Sequence, residues 1–475
     1  MRVLIVSSNR IRQPVMVLPS GACLVAEAAE RAGHAVRLLD LMFEKWPHEA
    51  LRRALVDWRP AVVGLSIRNI DTNDARNPVV LADEAAELAQ VVRRCSDAKL
   101  VLGGAALGVM PHELLRRTGA DYAVVFDGDV VFPQLLDSLA AGREIRGLAG
   151  VLAPGDVALP ARPAGGGELA SCTPQELSRW VQVRPYLSNM AAVGLQTKRG
   201  CPFECIYCTY SMAEGHEYRL CPPEQVVAAV RRLAAQGLRD VEFVDNVFNS
   251  PYEHALAICR QLAVARLGVR LQSLELNPRF LDDELLWAME QAGFAGIGVT
   301  AESASDVVLA GLKKGYTAEQ LRLAAGAVAR HAISCVWIFM LGGPGETPDT
   351  VQETLEFATR CIRPSDTAFF QTGIRIYPGT PLEQIARAQG VLTAAGDDML
   401  APVFYISPQM SLSGLKAQVN AAVRTHMNFV AVDAIGLPLF QTVLRACYRL
   451  GVRPPVWRYT PGVRRLLKWT GLYGG

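Results

Sequence analysis

At 475 residues the chain is long enough for two or three domains, each burying its own core. Half of the residues are hydrophobic, yet no 18-residue stretch is both apolar and free of charge, so no transmembrane span is expected. A formal net charge of +2 makes no global case for nucleic acid, and the opening MRVLIVSSNR lacks the long apolar core of a signal peptide, so the chain reads as cytoplasmic. Eleven cysteines in such a chain argue against a disulfide framework and direct attention to clustered thiols.

In chain order, RVLIVSS reads as a buried strand and GACLVAEAAERAG as a helix stopped by Gly33. AVRLLDL, EALRRALVDWRP and AVVGLSI repeat the pattern; after the polar insert NIDTNDARNP it continues through VVLADEAAELAQVVRRCS, KLVLGG, PHELLRRTG, YAVVFDG and VVFPQLLDSLAAG. Short apolar strands alternating with helices indicate an α/β, doubly wound, Rossmann-like domain over residues 1–150, with its ligand site at the carboxyl ends of the strands. A Pro-, Gly- and Ala-rich linker follows over 151–185. Over 186–394 the alternation resumes with about six βα units, too few for a closed barrel, so a partial (β/α)6 barrel is expected. Residues 395–475 lose the alternation and read as a mainly helical C-terminal region for substrate or interface contacts.

The stretch GCPFECIYCTY, residues 200–210, puts Cys201, Cys205 and Cys208 on one loop after the first barrel strand. Cys221 is a further thiol, but its spacing fits no common zinc arrangement. Three thiolates leave one iron of a four-iron cluster open to a ligand that is not protein. No pair of histidines has metal-binding spacing, and nothing resembles a nucleic-acid-binding element.

The loop matches C-x-x-x-C-x-aromatic-C and so resembles the radical S-adenosylmethionine (radical SAM) superfamily, through Cys201, Cys205, Tyr207 and Cys208. Downstream, GIGVTAESASDVVLAGLKKGYTAEQL is similar to the superfamily's fourth strand and following helix, FMLGGPGET to its fifth-strand turn, and IRIYPGTPLEQIA to its sixth-strand ending. FVDNVFN resembles the second-strand motif of members with an extra N-terminal domain, although Asn246 stands where they usually carry Asp. The N-terminal domain resembles the cobalamin (B12)-binding domain of such members through Ser66 in VVGLSI, Gly103 and Gly104 in LVLGGAAL, and Gly128 in VVFDGDVVF, where Asp127 and Asp129 replace two usual glutamates. The usual cobalt-ligating His is missing from SSNRIRQP, so either cobalt has no protein imidazole beneath it or the domain keeps the fold without the cofactor.

The resemblance implies a [4Fe-4S] cluster held by Cys201, Cys205 and Cys208, S-adenosylmethionine contacted by Tyr207, Asp245, Glu302, Ser303 and Gly342, and cobalamin contacted by Ser66, Gly103, Gly104 and Gly128. For Asp245 a strand-end cap is the alternative. The implied activity is C-methylation of an unactivated carbon in a natural-product or lipid-like small molecule. Radical rearrangement without methyl transfer and non-catalytic sensing are the alternatives. A reductase, flavodoxin or ferredoxin would supply electrons, and no nucleic acid is expected. Finally, Arg445 to Lys468 carries seven basic residues interleaved with Tyr448, Trp457 and Tyr459 and no acid; it reads as a solvated basic face, a contact for an anionic substrate or a peripheral membrane contact.

Overall fold

A computed structural model describes residues 1–73, 78–163, 169, 171–392, 399–432 and 440–469. The expected boundary at 394/395 lies outside the described residues.

The N-terminal domain holds a six-stranded sheet in the spatial order Ala35–Asp40, Arg2–Ser7, Val62–Ser66, Lys99–Gly103, Tyr122–Val124, Val151–Leu152. All neighbours are parallel except the last pair, which is antiparallel and draws the start of the linker into the sheet. Val3, Leu4, Ile5 and Val6 are all buried, as a strand covered by helices on both faces requires. Register places Ser7 beside Asp40 on one side and Ser66 on the other, with Gly103 beyond Ser66. These residues form a row along the carboxyl edge, at the point where strand order reverses.

The second sheet runs Phe429–Ala431, Thr367–Thr372, Ser334–Leu341, Phe294–Glu302, Arg270–Leu276, Asp240–Phe243, Val193–Leu195, all parallel. It is the expected open barrel with one strand more. Phe429–Ala431 comes from the region expected to be mainly helical, where a short apolar run gave no alternating signal, and pairs with Thr367–Thr372. Helix starts follow local chemistry: Thr317 and Gln320 form a reciprocal capping box, and Asp282 caps the helix that Gly293 ends in a left-handed turn.

The C-terminal segment closes the amino-terminal end of the barrel. Trp457 is buried against Gly296, where a Cβ would lie 2.8 Å from its ring, and Thr367 Oγ1 donates to the Trp457 carbonyl at 2.9 Å. The linker ties the two sheets together. Glu27 accepts from the amides of Gln175 and Glu176, and buried Tyr186 donates to Asp40 at 2.6 Å. Burial raises the Asp40 carboxyl above its ordinary range, with the Tyr186 bond acting against it.

The expectation of no disulfide is corrected. Cys172 and Cys221, both buried, are bonded. Their backbones flank the end of the first barrel strand, Gln196 N donating to Cys172 O and Cys221 N to Thr197 O. The fold thus brings together two thiols that lie far apart in sequence. No helix among the described residues is long and apolar enough to cross a membrane.

Candidate active site between two sheet edges

The cysteine loop leaves the first barrel strand through a short antiparallel pair, Lys198–Arg199 with Arg219–Leu220. Gly200 then turns at φ +93°, where a Cβ would fall 2.0 Å from the Glu217 carbonyl, so this position admits only glycine. Glu214 gathers the loop by accepting from Gln196 Nε2 at 2.9 Å, Gly200 N at 3.0 Å and Asn246 Nδ2 at 2.7 Å. The amide at 246 is thereby explained, since an Asp there would face the Glu214 carboxylate.

Cys201 is buried and Cys205 and Cys208 are half-buried on this loop. Among the described residues no three His, Cys, Asp or Glu side chains stand in metal-binding geometry, so the thiols share a loop without yet converging on one point. Burial raises all three thiol pKa values, that of Cys208 to about 12. One cation, Lys314, opposes the rise at each of them. A set of thiols that favours deprotonation only when positive charge arrives suits iron.

Glu302 sits at φ +55° where a register shift interrupts the pairing of Phe294–Glu302 with Ser334–Leu341. The bulge turns its carboxylate toward the cysteine loop. Tyr207 OH donates to Glu302 Oε1 at 2.7 Å, and Lys314 Nζ donates to the same oxygen at 3.0 Å and to Tyr207 OH at 3.1 Å. Burial disfavours the Lys314 ammonium, but Glu302 and Tyr207 outweigh it and hold the pKa well above the ordinary value. Glu302 Oε2 makes no hydrogen bond to the described residues and is the oxygen left for a ligand.

Other expected contacts are placed differently. Asp245 is fully buried and accepts from Thr197 N and Thr197 Oγ1, each at 2.6 Å, from Lys198 N at 3.2 Å and from Lys198 Nζ at 3.3 Å. Both of its oxygens are engaged at the strand end, which is the geometry of the cap that the sequence also allowed. Ser303 is buried too, its hydroxyl 3.1 Å from that of Thr354 and accepting from Ser305 N. Its side chain points into the core because the bulge hands the inward position to Glu302. The Gly342 amide donates to Glu346 Oε2 at 2.8 Å, and its φ of +104° explains the glycine without a ligand. Burial lifts the Glu346 carboxyl to about 6.

In the N-terminal domain Ser66 and Gly103 end adjacent strands, and a Cβ on Gly103 would meet nothing within 4 Å. The space above it is open, as a cradle for a flat group requires. Gly104, by contrast, is dictated by backbone packing, since a Cβ would lie 2.4 Å from the Ile67 carbonyl. Gly128 opens the helix Gly128–Ala140, with Val25 3.0 Å from a Cβ there. The flanking acids reach the barrel: Asp129 takes Arg199 at 2.7 Å and Asp127 takes Arg219. Burial raises the Asp127 carboxyl, but Arg219 and Arg199 outweigh it and hold the pKa below the usual range. The domain is therefore clamped to the base of the cysteine loop, and a Cβ on Gly108 would meet Ala213 of that loop at 2.4 Å.

Residues missed in the sequence complete the site. Glu275 ends the strand Arg270–Leu276; burial first, and then Glu302, lift its carboxyl to about 8. Glu242 and Gln272, on neighbouring strands, are joined at 3.0 Å. Burial raises the Glu242 carboxyl, with the Gln272 bond and the Arg68 guanidinium acting against it. Asp71 follows the strand Val62–Ser66 and pairs at 3.0 Å with Arg375, which follows the strand Thr367–Thr372, so the carboxyl edges of both sheets face one space. The only sequence signal was position, a charged residue at or just beyond a predicted strand end.

Comparison with known proteins agrees with this arrangement. Residues 195–358 match the radical SAM superfamily model, and residues 14–136 match the B12 binding domain model. The chain is 25% identical over 428 residues to an uncharacterized methyltransferase of Pyrococcus horikoshii, covering 86% of this chain and 88% of that one. It is 26% identical over 461 residues to the tryptophan 2-C-methyltransferase of Streptomyces laurentii, covering 83% and 76%. Its fold is that of the radical SAM methyltransferase TsrM from Kitasatospora setae, solved with cobalamin and a [4Fe-4S] cluster, at TM-score 0.85, 24% identity and 99% of each chain. It also resembles the cobalamin-dependent radical enzyme OxsB, solved with aqua-cobalamin and S-adenosylmethionine, at TM-score 0.72 and 14% identity, over 95% of this chain and 71% of that one. Two family models thus match in succession along one chain, which carries a B12-binding domain followed by a radical SAM domain.

Proposed function

We propose that the protein is a cobalamin-dependent radical SAM C-methyltransferase that acts on an unactivated carbon of a small natural-product or lipid-like intermediate. The observation that carries the reading is the shared space between the sheet edges, across which Asp71 pairs with Arg375, and Asp129 and Asp127 pair with Arg199 and Arg219 on the two strands that flank the cysteine loop. When bound, the cluster and S-adenosylmethionine supply one-electron cleavage of the sulfonium, and cobalamin supplies the methyl group.

Cys201, Cys205 and Cys208 hold iron, and the Lys314 ammonium offsets the charge their thiolates gain. Glu302 Oε2 accepts a charge-assisted hydrogen bond from the hydroxyls or ammonium of S-adenosylmethionine, while Tyr207 and Lys314 fix the carboxylate through Oε1. Tyr207, its hydroxyl fixed by Glu302 and Lys314, would flank the adenine when S-adenosylmethionine is bound. Ser66 and Gly103 line the cradle for cobalamin, and no histidine in the loop at residues 7–14 reaches for cobalt. The ion pairs of Asp127 and Asp129 with Arg219 and Arg199 keep both halves in register and water out. Electrons come from a reductase, flavodoxin or ferredoxin.

Anaerobic reconstitution with iron, sulfide and hydroxocobalamin tests the reading. About four irons with one retained cobalamin per chain, and a mass gain of one labelled methyl in product from CD₃-labelled S-adenosylmethionine, are expected. Iron without retained cobalamin would remove methyl transfer, and Cys→Ser changes at 201, 205 or 208 that leave iron content intact would remove the cluster assignment.

A further inference from the structure

Each of the two C-terminal helices exposes large apolar side chains. In Thr460–Trp469, Arg464 points inward and donates to the carbonyls of Phe429 and Val423, and Arg465 donates to that of Pro364. Val463, Leu466 and Trp469, spaced three apart on the side away from Arg464, are 52%, 58% and 84% exposed. In Phe440–Arg449, Leu444 packs inward, while Val443 and the following Leu450, seven residues apart and so on one face, are 54% and 84% exposed. A helix of a globular surface buries its apolar stripe, and these show theirs to solvent.

Exposed cations stand beside this apolar surface: Arg445, Arg449, Arg465 and Lys468. Residues 434–475 contain no Asp or Glu, so nothing there would repel a negative partner. We infer that this face docks on an anionic phospholipid surface, with Val443, Leu450, Val463, Leu466 and Trp469 entering the headgroup boundary and the four cations meeting lipid phosphates. Helix Thr460–Trp469 lies at the amino-terminal end of the barrel, beside Pro364 and Phe429, which places the contact on the side away from the cysteine loop.

Flotation of the full-length protein with vesicles of phosphatidylcholine alone, or mixed with phosphatidylglycerol, tests the inference. Binding to the mixed vesicles and not to the neutral ones is expected, with release by high salt. Arg445→Gln, Arg449→Gln and Lys468→Gln should each weaken it about fivefold, and Leu466→Ser with Trp469→Ser should abolish it. The Arg445 and Arg449 changes lie on the other helix, away from the barrel contacts of Arg464, and keep the test valid should the serine variant fold poorly. Equal binding to both vesicles, or binding to neither, would overturn the inference. So would a wild-type dimer that Trp469→Ser makes monomeric without any lipid binding, which would assign the face to a second copy of the chain.

Discussion

Replacing Asp245 with Ala separates the two roles that its position at a strand end permits. In the structure the carboxylate neutralises Lys198, whose side chain is 2% exposed, and it satisfies the Thr197 amide and hydroxyl. Removing one partner of a buried ion pair leaves the other charge uncompensated and costs about 3–5 kcal/mol. The backbone bond from Lys198 Nζ to Phe248 O at 2.9 Å survives and holds the loss within that range. Urea unfolding of the cofactor-free protein reads the loss, and equilibrium dialysis reads S-adenosylmethionine affinity in the reconstituted protein. The loss should depend on pH. Burial already lowers the Lys198 pKa, with Asp245 acting against it, and without Asp245 the lowering deepens. Between that lowered value and the free lysine value of about 10.4, the unfolded chain binds more protons than the folded one. Stability of the variant therefore rises with pH through this window, and its deficit is largest near neutrality. A loss below about 1 kcal/mol together with weakened S-adenosylmethionine binding would refute the structural assignment.

Arg375 and Asp71, 2% and 1% exposed and 3.0 Å apart, pair the segment after the sixth barrel strand with the polar insert of the N-terminal domain. Arg375→Met should cost about 3–5 kcal/mol, and adding Asp71→Leu should restore most of it in a double-mutant cycle; no recovery would show that the pair's charges are not what the site requires. For Glu275, with its carboxyl raised to about 8 by burial and then by Glu302, the folded state holds a proton that the unfolded state has lost. Stability of the cofactor-free wild type should therefore fall as pH rises from about 4.5 to 8, by up to about 1.4 kcal/mol per unit. Glu275→Gln should flatten that slope in pH-dependent unfolding, and an unchanged slope would place the titration elsewhere.

The order of the two α/β domains and the cysteine loop were legible in the sequence, because strand and helix periodicity and residue spacing are local. Ser66 and Gly103 were singled out by the resemblance to cobalamin-binding domains, and the register of their strands sets them side by side at the carboxyl edge. Direction at those ends was not legible. Glu302 and Ser303 are neighbours, yet a register shift sends the first to the site and the second into the core. Lys313 and Lys314 are identical in type and adjacent; Lys313 is 58% exposed opposite Glu204, while Lys314 is 7% exposed and acts on all three loop thiols. Asp245 and Glu275 both stand near strand ends, and only packing engaged both oxygens of the first and raised the carboxyl of the second by burial. The Cys172–Cys221 bond and the seventh strand likewise join segments distant along the chain. Sequence by itself determined which elements form and which chemistry is carried. Tertiary structure decided which side chains share the space, because burial, register and charge at a strand end are set by neighbours that local pattern does not encode.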